Sequence, residues 1–399
     1  MNELLTNIGK PTSIWLDTTP ETDYPELAAD LEVDIAIVGG GIAGLLTAYY
    51  LQKSSHKVAI LEADRIVKGT TGFTTAKITS GHGLKYQTLV KKLGQGKAQI
   101  YALANQQAVE GWAALVEELK IDCDFVRQPA YSYAAGKDWT DIVKKEVEAA
   151  KSLGLPVGFV ERAPVSFKNY GAIKYENQAQ FHPRKFLLAL SKIMIDRGGL
   201  IFENSAVGEV LENQKRLVTK NGSIKAKKII IATNYPIFDP ADIFKELKAH
   251  QSYTLGVTIG GKMAEGMFIG FEEKNFHSFR SQAWRKGKEI LLVGGEAVLD
   301  DDLLSTDEHY ARLAKWAREH FDIKSIEYHW TTSDSETPDE VPVIGRLIPE
   351  SDDFFVVTGF VGWGMTHSWV AAQILNSEIL GRPHPWSRLY SAERIKKHD

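Results

Sequence analysis

A glycine-rich turn directly after a short β-branched segment is the feature that most constrains the fold of this chain. The turn has the pattern G-x-G-x-x-G, with its glycines at Gly39, Gly41 and Gly44. An apolar helical pattern follows at once, and a second strand-like run then ends at Glu62. Strand, glycine turn, helix, strand and acid in this order predict a βαβ unit of the dinucleotide-binding type.

Each part of this unit suits one part of a dinucleotide. The first glycine permits a tight turn, the second lets the backbone approach a pyrophosphate, and the third lets helix and strand pack closely. The helix start offers amides and a positive dipole end to the phosphates. The acid can accept hydrogen bonds from ribose hydroxyls and disfavours NADP, which leaves NAD and FAD open. The cofactor residues predicted here are Gly39, Gly41, Ile42, Ala43, Gly44, Glu62 and Ala63.

Composition excludes several classes of protein. The 399 residues are 44% hydrophobic and 25% charged, with a net charge of −4, which suits a two-domain globular protein without a nucleic-acid footprint. No run approaches the length of an apolar membrane span, and the N-terminal residues do not resemble a signal peptide. The single cysteine, Cys123, suits a reducing compartment, so we expect a cytoplasmic location. No histidine pair has metal-ligand spacing, and no metal site is expected.

A segment rich in glycine and hydroxyl residues follows the βαβ unit at 68–83. Such residues make ordinary turns, which is the alternative interpretation. We interpret the segment as a second cofactor-holding element, because small residues admit a ligand, hydroxyls and amides bind it, and a lysine adds positive charge. The predicted residues are Gly69, Thr70, Thr71, Thr74, Thr75, Ala76 and Lys77.

Two later segments complete the predicted cofactor site. A buried strand ends at Ala-Thr-Asn, 232–234, and a strand, a glycine-rich turn and a helix lie at 354–380. A helix N-terminus at the last position suits a flavin, since it would stabilise the negative charge that builds at N1/O2 on reduction. The residues placed here are Ala232, Thr233, Gly359, Gly362, Trp363, Gly364, Met365 and Thr366, and Val207, at the end of an earlier strand-like run, is predicted with them.

Together these pieces resemble the D-amino-acid-oxidase and glycine-oxidase superfamily of FAD-dependent oxidoreductases over most of residues 31–388. The resemblance implies FAD, because NAD would explain only the first of the matching segments. The stretches GTTGFTTAKITSGHGL, QAQFHPRKF and GFVGWGMT are similar to a bacterial branch often followed by a C-terminal Rieske iron–sulfur domain. A Rieske centre needs two cysteines and two histidines, so one cysteine cannot supply it and we expect no cluster here.

The resemblance also implies the architecture and the activity. We expect an α/β fold in which a Rossmann-like FAD-binding domain, 31–95, 181–242 and 332–388, is interleaved with a second domain, 96–180 and 243–331, built on an antiparallel sheet plus helices. Residues 1–30 should form an N-terminal arm. The implied activity is oxidation of a small amine or hydroxyl compound by hydride transfer to flavin N5. The alternative is a flavin-bearing electron-transfer or regulatory protein without a small-molecule substrate of its own.

Five residues are candidates for the chemistry. Asp334 stands where the resemblance leads us to expect an arginine that pairs with a substrate carboxylate, which argues against a simple amino-acid oxidase. Arg280 could supply a cation instead, or be a solvated strand residue. His82 and His182 lie in segments on the flavin side of the family fold, with a structural role as the alternative, and Tyr253 completes the set. Cys123 lies in no matching segment, so we expect non-covalent FAD. The substrate and the electron acceptor stay open.

Overall fold

A computed structural model describes residues 8–240, 244–272, 276–299, 304–348 and 351–395. The strands are β1 (Asp30–Val38), β2 (Val58–Leu61), β3 (Lys77–Ile78), β4 (Val126–Ala134), β5 (Val157–Val160), β6 (Ala172–Gln180), β7 (Leu200–Phe202), β8 (Glu209–Leu211), β9 (Arg216–Val218), β10 (Ser223–Asn234), β11 (Lys248–Ile259), β12 (Met267–Phe271), β13 (Phe276–Ala283), β14 (Glu289–Leu299), β15 (Ile323–Glu336), β16 (Val343–Arg346) and β17 (Phe354–Thr358). The helices are α1 (Ile14–Asp17), α2 (Ile42–Lys53), α3 (Tyr86–Leu93), α4 (Gln95–Leu119), α5 (Thr140–Ser152), α6 (Pro183–Asp196), α7 (Thr306–His320), α8 (Gly364–Ile379) and α9 (Ser387–Tyr390). None of these described helices is long and apolar enough to cross a membrane.

The chain forms two compact units, each assembled from three segments. Unit 1 takes in the described residues up to Thr18, together with Phe73–His182 and His250–Ser333. Unit 2 takes in Thr19–Gly72, Pro183–Ala249 and the described residues from Asp334 onward. An α/β architecture with interleaved segments was predicted, and the fold class is confirmed.

Unit 2 is built on a sheet in the order β16-β17-β10-β1-β2-β7, with β8 and β9 beside β10. The strands from β17 to β7 along this order run parallel, and β16 is an antiparallel edge. Residues Ile229, Ile230 and Ile231 of β10 are fully buried, as expected for parallel strands covered on both faces. Helix α2 packs against α6 and α8. The carboxyl ends of β1, β2, β10 and β17 meet at one edge, where open α/β sheets bind ligands.

Unit 1 is built on a sheet in the order β15-β11-β14-β13-β12-β4-β6-β3, with β5 beside β6. Its core combines Leu255, Phe279 and Val293 from one sheet face with Leu313 and Ala317 of α7. The sheet is not wholly antiparallel as predicted, because β12 pairs with β4 in parallel. The two strands come from distant parts of the chain, so no hairpin turn forces them to run antiparallel.

The units divide the chain differently from the predicted domains, chiefly at residues 73–95, while residues 244–249, predicted in the second domain, lie in unit 2. We expected the stretch 73–95 in the FAD-binding domain, and it lies in unit 1. Strand β3 pairs there with β6, Lys77 opposite Gln180. The buried carboxylate of Glu146 in α5 accepts hydrogen bonds from the Tyr86 and Gln87 amides, at 2.6 and 3.0 Å, and so holds the start of α3. The predicted arm is also shared, since it changes units after Thr18.

Candidate functional site

The glycine turn of unit 2 has its shape because two of its glycines are in contact with backbone. Gly39 adopts a φ of +113°, and a Cβ there would lie 2.4 Å from the carbonyl oxygen of Ala232. A Cβ on Gly44 would lie 2.0 Å from the carbonyl oxygen of Gly39. Any side chain at either position would force β1, β10 or α2 apart, so these glycines belong to the packing of the βαβ unit.

Gly41 differs from both, because a Cβ there would meet one side-chain hydroxyl and no backbone atom of another segment. It precedes α2, and the only described atom within 4 Å of a Cβ placed there is Thr71 Oγ1, at 3.2 Å. The same hydroxyl accepts a hydrogen bond of 3.1 Å from the Ile42 amide. Among the described residues no acceptor meets the amides of Ala43 and Gly44, as expected for a first helical turn. The helix start is therefore a cradle of donors that a side chain at Gly41 would fill.

Glu62 places a carboxylate beside this cradle. Its Oε2 accepts a hydrogen bond of 2.7 Å from the Gly40 amide, and its Oε1 accepts one of 3.1 Å from Asp64. Ala63 follows as an exposed residue. A fixed acid at the end of β2, next to an open helix start, is the donor and acceptor set that a dinucleotide needs. The predicted residues of the βαβ unit therefore fit such a cofactor.

The ends of β10 and β17 are tied to the Gly-Thr-Thr segment through a residue outside the predicted cofactor set. Asn234, at a φ of +64°, donates from Nδ2 to Thr70 Oγ1 at 3.3 Å. Its carbonyl accepts a hydrogen bond from the Thr358 hydroxyl. Nearby Thr233 donates to the Tyr235 carbonyl at 2.7 Å. An asparagine at the end of a buried strand was the available sequence signal, since asparagine is enriched among residues that adopt a positive φ.

Two other predicted positions in unit 2 lie at the edges of this region. Gly69 is exposed, and its carbonyl accepts a 2.7 Å hydrogen bond from the Gly72 amide, which closes the 3₁₀ turn. Val207 is partly buried against the apolar core of the parallel sheet. Their predicted contact with the cofactor stays a prediction.

The last group of predicted cofactor-binding residues lies in the turn before α8 and at the start of that helix. Gly359 and Gly362 adopt φ of +73° and +78°, and Val361 between them adopts +51°. Helix α8 begins at Gly364, and its N-cap residue, Trp363, makes no side-chain capping hydrogen bond. Met365 and Thr366 are buried in its first turn. A left-handed valine is strained, which marks this turn as one held by its surroundings.

Asp334 lies beside the same turn. A Cβ on Gly362 would be 4.0 Å from Asp334 Oδ2, and the Val361 amide donates to the Ser335 carbonyl at 3.1 Å. The structure thus brings one predicted catalytic residue next to one predicted flavin-binding turn, within unit 2.

In unit 1 the Thr74–Lys77 segment is held by an aromatic and a cationic side chain. Trp15 Nε1 donates to the Thr74 carbonyl at 2.6 Å, and Arg280 Nε donates to the Thr75 carbonyl at 2.6 Å. Ala76 takes a φ of +53°. Trp15, which comes from the predicted arm, is completely buried.

Arg280 is bonded to protein groups on several sides. Its Nη1 donates to the Ser281 carbonyl at 3.0 Å and to Gln282 Oε1 at 2.8 Å, and its Nη2 donates to the Phe181 carbonyl at 3.3 Å. The guanidinium lies 5.4 Å from the centre of the Trp15 ring. Burial lowers its pKa to about 9, against the opposing effect of Asp124. Arg280 is therefore a structural anchor of this segment, and its pairing with a substrate stays a prediction.

The remaining candidates in unit 1 have separate partners. His82 is buried, and its Nδ1 lies 2.7 Å from the Tyr101 hydroxyl. His182 Nε2 lies 3.0 Å from Thr18 Oγ1, and its ring packs edge-on against Trp15 at 4.8 Å. Both contacts suit the structural alternative for these histidines.

Tyr253 lies on the other face of the unit 1 sheet from Arg280. Its ring stacks on His309 at 4.5 Å and belongs to the apolar core with Phe279. Alternation along β13 puts Phe279 on the core face and Ser278 and Arg280 on the opposite one. Within unit 1 the structure therefore does not bring Tyr253 together with Arg280.

A separate cavity of about 80 Å³ in unit 1 is lined by aromatic and titratable residues. His277 and His320 stack on Trp316 at 4.1 and 4.2 Å. Burial, and then the nearby His320, lower the pKa of His277 to about 4. Within the described parts of the chain, no group of three His, Cys, Asp or Glu residues could hold a metal ion.

Comparison with known proteins adds to this geometry. Residues 34–377 match the model of a family described as FAD dependent oxidoreductase. The putative Rieske 2Fe-2S iron–sulfur protein YhfW of Bacillus subtilis is 31% identical over 96% of this chain and 76% of its own length. Gamma-glutamylputrescine oxidoreductase of Escherichia coli is 23% identical over 90% of this chain and 86% of its own length. The glycine oxidase structure from Geobacillus kaustophilus superposes with a TM-score of 0.74 at 18% identity, covering 89% of this chain and 96% of that one.

Proposed function

Because this chain belongs to the family of FAD-dependent oxidoreductases, we propose that it oxidises a small amine by hydride transfer to flavin N5. The observation that carries the proposal is the open cradle of amides at Gly41, with Glu62 beside it. FAD, when bound, supplies the two-electron acceptor. The chain itself would bind and orient the cofactor and the substrate, and would shield them from water.

The residues proposed to hold the cofactor fall into groups, and each group would contact a different part of the FAD. The amides at the start of α2 and the Thr71 hydroxyl would bind the pyrophosphate, and Glu62 would bind ribose hydroxyls. The N-terminus of α8, with Gly362 and Gly364 near it, would face the flavin pyrimidine edge. Thr74–Lys77 belong to unit 1, and their contact with the cofactor stays a prediction.

Non-covalent attachment is part of the proposal. Cys123 is the single cysteine. It is buried to 1% exposure in unit 1, and its carbonyl accepts a 2.7 Å hydrogen bond from the His182 amide. A thiol so deeply buried supports non-covalent attachment, because its sulfur offers little exposed surface for addition to a flavin. Acid or heat should therefore release intact FAD from the protein.

A Gly41→Val variant tests the cradle. Its side chain would fill the space above the first turn of α2, so the variant should purify colourless while the wild type is yellow, with about one FAD per chain. Gly158→Val is the matched control, because a Cβ at Gly158 in β5 meets no described atom within 4 Å. It adds the same side chain to a strand, where valine is favoured, and should keep the FAD. Equal FAD occupancy in the two variants would contradict the assignment of the Gly41 cradle to the cofactor.

An amine substrate is proposed for two reasons. The relatives named above include an oxidoreductase of gamma-glutamylputrescine and a glycine oxidase. Asp334 beside the Gly362 turn would repel a substrate carboxylate, since like charges at close range disfavour the ionised pair. Amines without a nearby carboxylate should therefore bleach the flavin faster than glycine or proline does under anaerobic conditions. Hydroxyl compounds belong in the same screen as competing substrates.

A flavin-bearing electron-transfer protein is the second candidate. The observation that favours it is the similarity to a relative described as a Rieske protein. Such a protein would be reduced by dithionite and reoxidised by an iron–sulfur partner, yet no amine or hydroxyl compound would bleach it. The anaerobic screen therefore separates the two candidates.

The proposed compartment is the cytoplasm, which the low cysteine content suits and which fractionation of cells would check.

A further inference from the structure

The hydroxyl of Thr71 lies at the start of α2 with its own hydrogen unused. Its oxygen accepts a 3.1 Å hydrogen bond from the Ile42 amide, and a Cβ placed on Gly41 would lie 3.2 Å from the same atom. Thr71 is 8% exposed, and among the residues that the structure describes no acceptor meets the hydroxyl hydrogen. A buried donor without an acceptor therefore lies beside the open amides of the helix start, where an anionic ligand can use it.

The turn that carries this hydroxyl is too short to fix its own position. Thr71 belongs to the 3₁₀ helix Thr70–Phe73, and a single turn of this kind has few internal hydrogen bonds. The residue before it, Gly69, is exposed, and a Cβ there would meet no described atom within 4 Å. The position of the Thr71 hydroxyl therefore depends on contacts that other elements make with the turn.

Asn234 makes such a contact with the residue next to Thr71. Its Nδ2 donates to Thr70 Oγ1 at 3.3 Å. Asn234 ends β10, where the pairing with β17 shifts register after Ile231, and its φ of +64° takes its side chain out of the strand alternation. The Thr358 hydroxyl donates to its carbonyl. The asparagine is thus held by the last residue of β17 while it binds the 3₁₀ turn.

We propose that Asn234 is a positioning residue for the cofactor: through Thr70 it holds the Thr71 hydroxyl over the helix start, and that hydroxyl donates to the FAD pyrophosphate. The same oxygen keeps accepting from the Ile42 amide, and each of the two hydrogen bonds strengthens the other. A hydrogen bond to an anion is stronger than a neutral one, so displacement of Thr71 lowers the affinity for FAD. The inference rests on the proposed FAD site and needs no substrate.

A purely structural role of Asn234 predicts a different result. If Asn234 served only the end of β10, its loss would lower the stability of the fold and would affect FAD binding independently of Thr71. Because it acts through Thr71, its loss lowers the affinity only while the Thr71 hydroxyl is present. A double-mutant cycle on the FAD dissociation constant separates the two roles.

Asn234→Gly and Thr71→Val supply this cycle. Glycine adopts a positive φ without strain, so Asn234→Gly removes the side-chain amide and leaves the backbone in place. Valine keeps the shape of threonine and removes its hydroxyl. Asn234→Gly should raise the dissociation constant of FAD about fivefold, and Thr71→Val should raise it at least about tenfold. The double variant should match Thr71→Val within about twofold. Equilibrium dialysis of the FAD-loaded proteins, followed by flavin absorbance, measures each constant.

Asn177→Gly is the matched control. Asn177 also adopts a positive φ, of +54°, but it lies on β6 in unit 1, so the same substitution there should leave the FAD dissociation constant unchanged. Thr70→Val removes the acceptor of the Asn234 amide and is the second variant where Asn234→Gly does not fold. It should show the same dependence on Thr71.

Two results would overturn the proposal. One is an unchanged FAD dissociation constant in Asn234→Gly, and the other is a loss of affinity that persists in full when Thr71→Val is also present. A wild type that binds no FAD would overturn the proposed function as well. The expected coupling between Asn234 and Thr71 supports the positioning role even where no amine is oxidised.

Discussion

Replacing Lys77 by methionine should stabilise the protein near neutral pH. The folded chain holds this amine with a pKa lowered from 10.5 to about 7, chiefly by burial. In the unfolded chain the amine keeps its proton up to its ordinary pKa of 10.5. Folding below about pH 7 therefore buries a charge, folding between about pH 7 and the ordinary pKa releases a proton, and both cost free energy. Methionine matches the length of the side chain and carries no charge.

The size of the effect follows from the lowered pKa. At about 1.4 kcal/mol for each pH unit between the two pKa values, the cost to the wild type is about 5 kcal/mol at or below pH 7. The variant loses the two hydrogen bonds that the amine makes to the hydroxyls of Thr75 and Ser278, each contributing about 1 kcal/mol. The net gain should be about 3 kcal/mol at neutral pH.

The sign of the pH dependence distinguishes this account from simple packing. Between the folded and the unfolded pKa, the unfolded chain binds the extra proton, so the wild type gains stability as the pH rises. The advantage of Lys77→Met should then shrink by about 1.4 kcal/mol per pH unit and vanish before about pH 10. Urea unfolding at about pH 7, 8 and 9 would measure it. Lys315→Met, at an exposed position of α7, is the control, and an advantage of Lys77→Met that stays constant with pH would refute the reasoning.

Three further changes probe other parts of the molecule. Asp334→Arg should tighten binding of benzoate and glycine, since it places a cation beside the Gly362 turn; titration of the flavin spectrum would measure this, and an unchanged response would place Asp334 outside the pocket. Glu203→Gln should lower the free energy of unfolding by about 1.5–3 kcal/mol, because the fully buried Glu203 carboxylate accepts hydrogen bonds from three donors in the arm and the loop after β2. Trp15→Phe removes the hydrogen bond to the Thr74 carbonyl and should speed proteolysis at 73–77, whereas cleavage at the wild-type rate would contradict the anchoring role.

The βαβ unit could be predicted because each of its parts is locally encoded. Gly39 and Gly44 are required because a Cβ at either position would lie closer than 2.5 Å to a backbone carbonyl oxygen. Glu62 ends a four-residue strand that is buried throughout. A reader of the sequence needs no long-range information to place these residues, since strand, turn and helix follow one another directly.

The boundary after Gly72 could not be predicted from the same kind of pattern. Strand β3 has two residues, and its partner in β6 is about a hundred positions away in the chain. A two-residue strand has no periodicity to detect. The buried Glu146 that holds the start of α3 also reads, in sequence, as one of several charges on an amphipathic helix. Tertiary contacts alone decide that 73–95 belong to unit 1.

The roles of Arg280 and Lys77 depend on which sheet face is polar, and sequence alone leaves this undecided. Strand alternation fixes that Ser278 and Arg280 share a face and that Phe279 takes the other. Alternation does not show that Trp15 and the Thr75 carbonyl, from segments far away in the chain, pack against the face that carries Arg280. Once those groups are in place, Arg280 has protein acceptors on several sides, while Lys77 has hydroxyls and no described carboxylate. Of these two buried cations, Lys77 is therefore the one whose charge the described protein groups leave uncompensated.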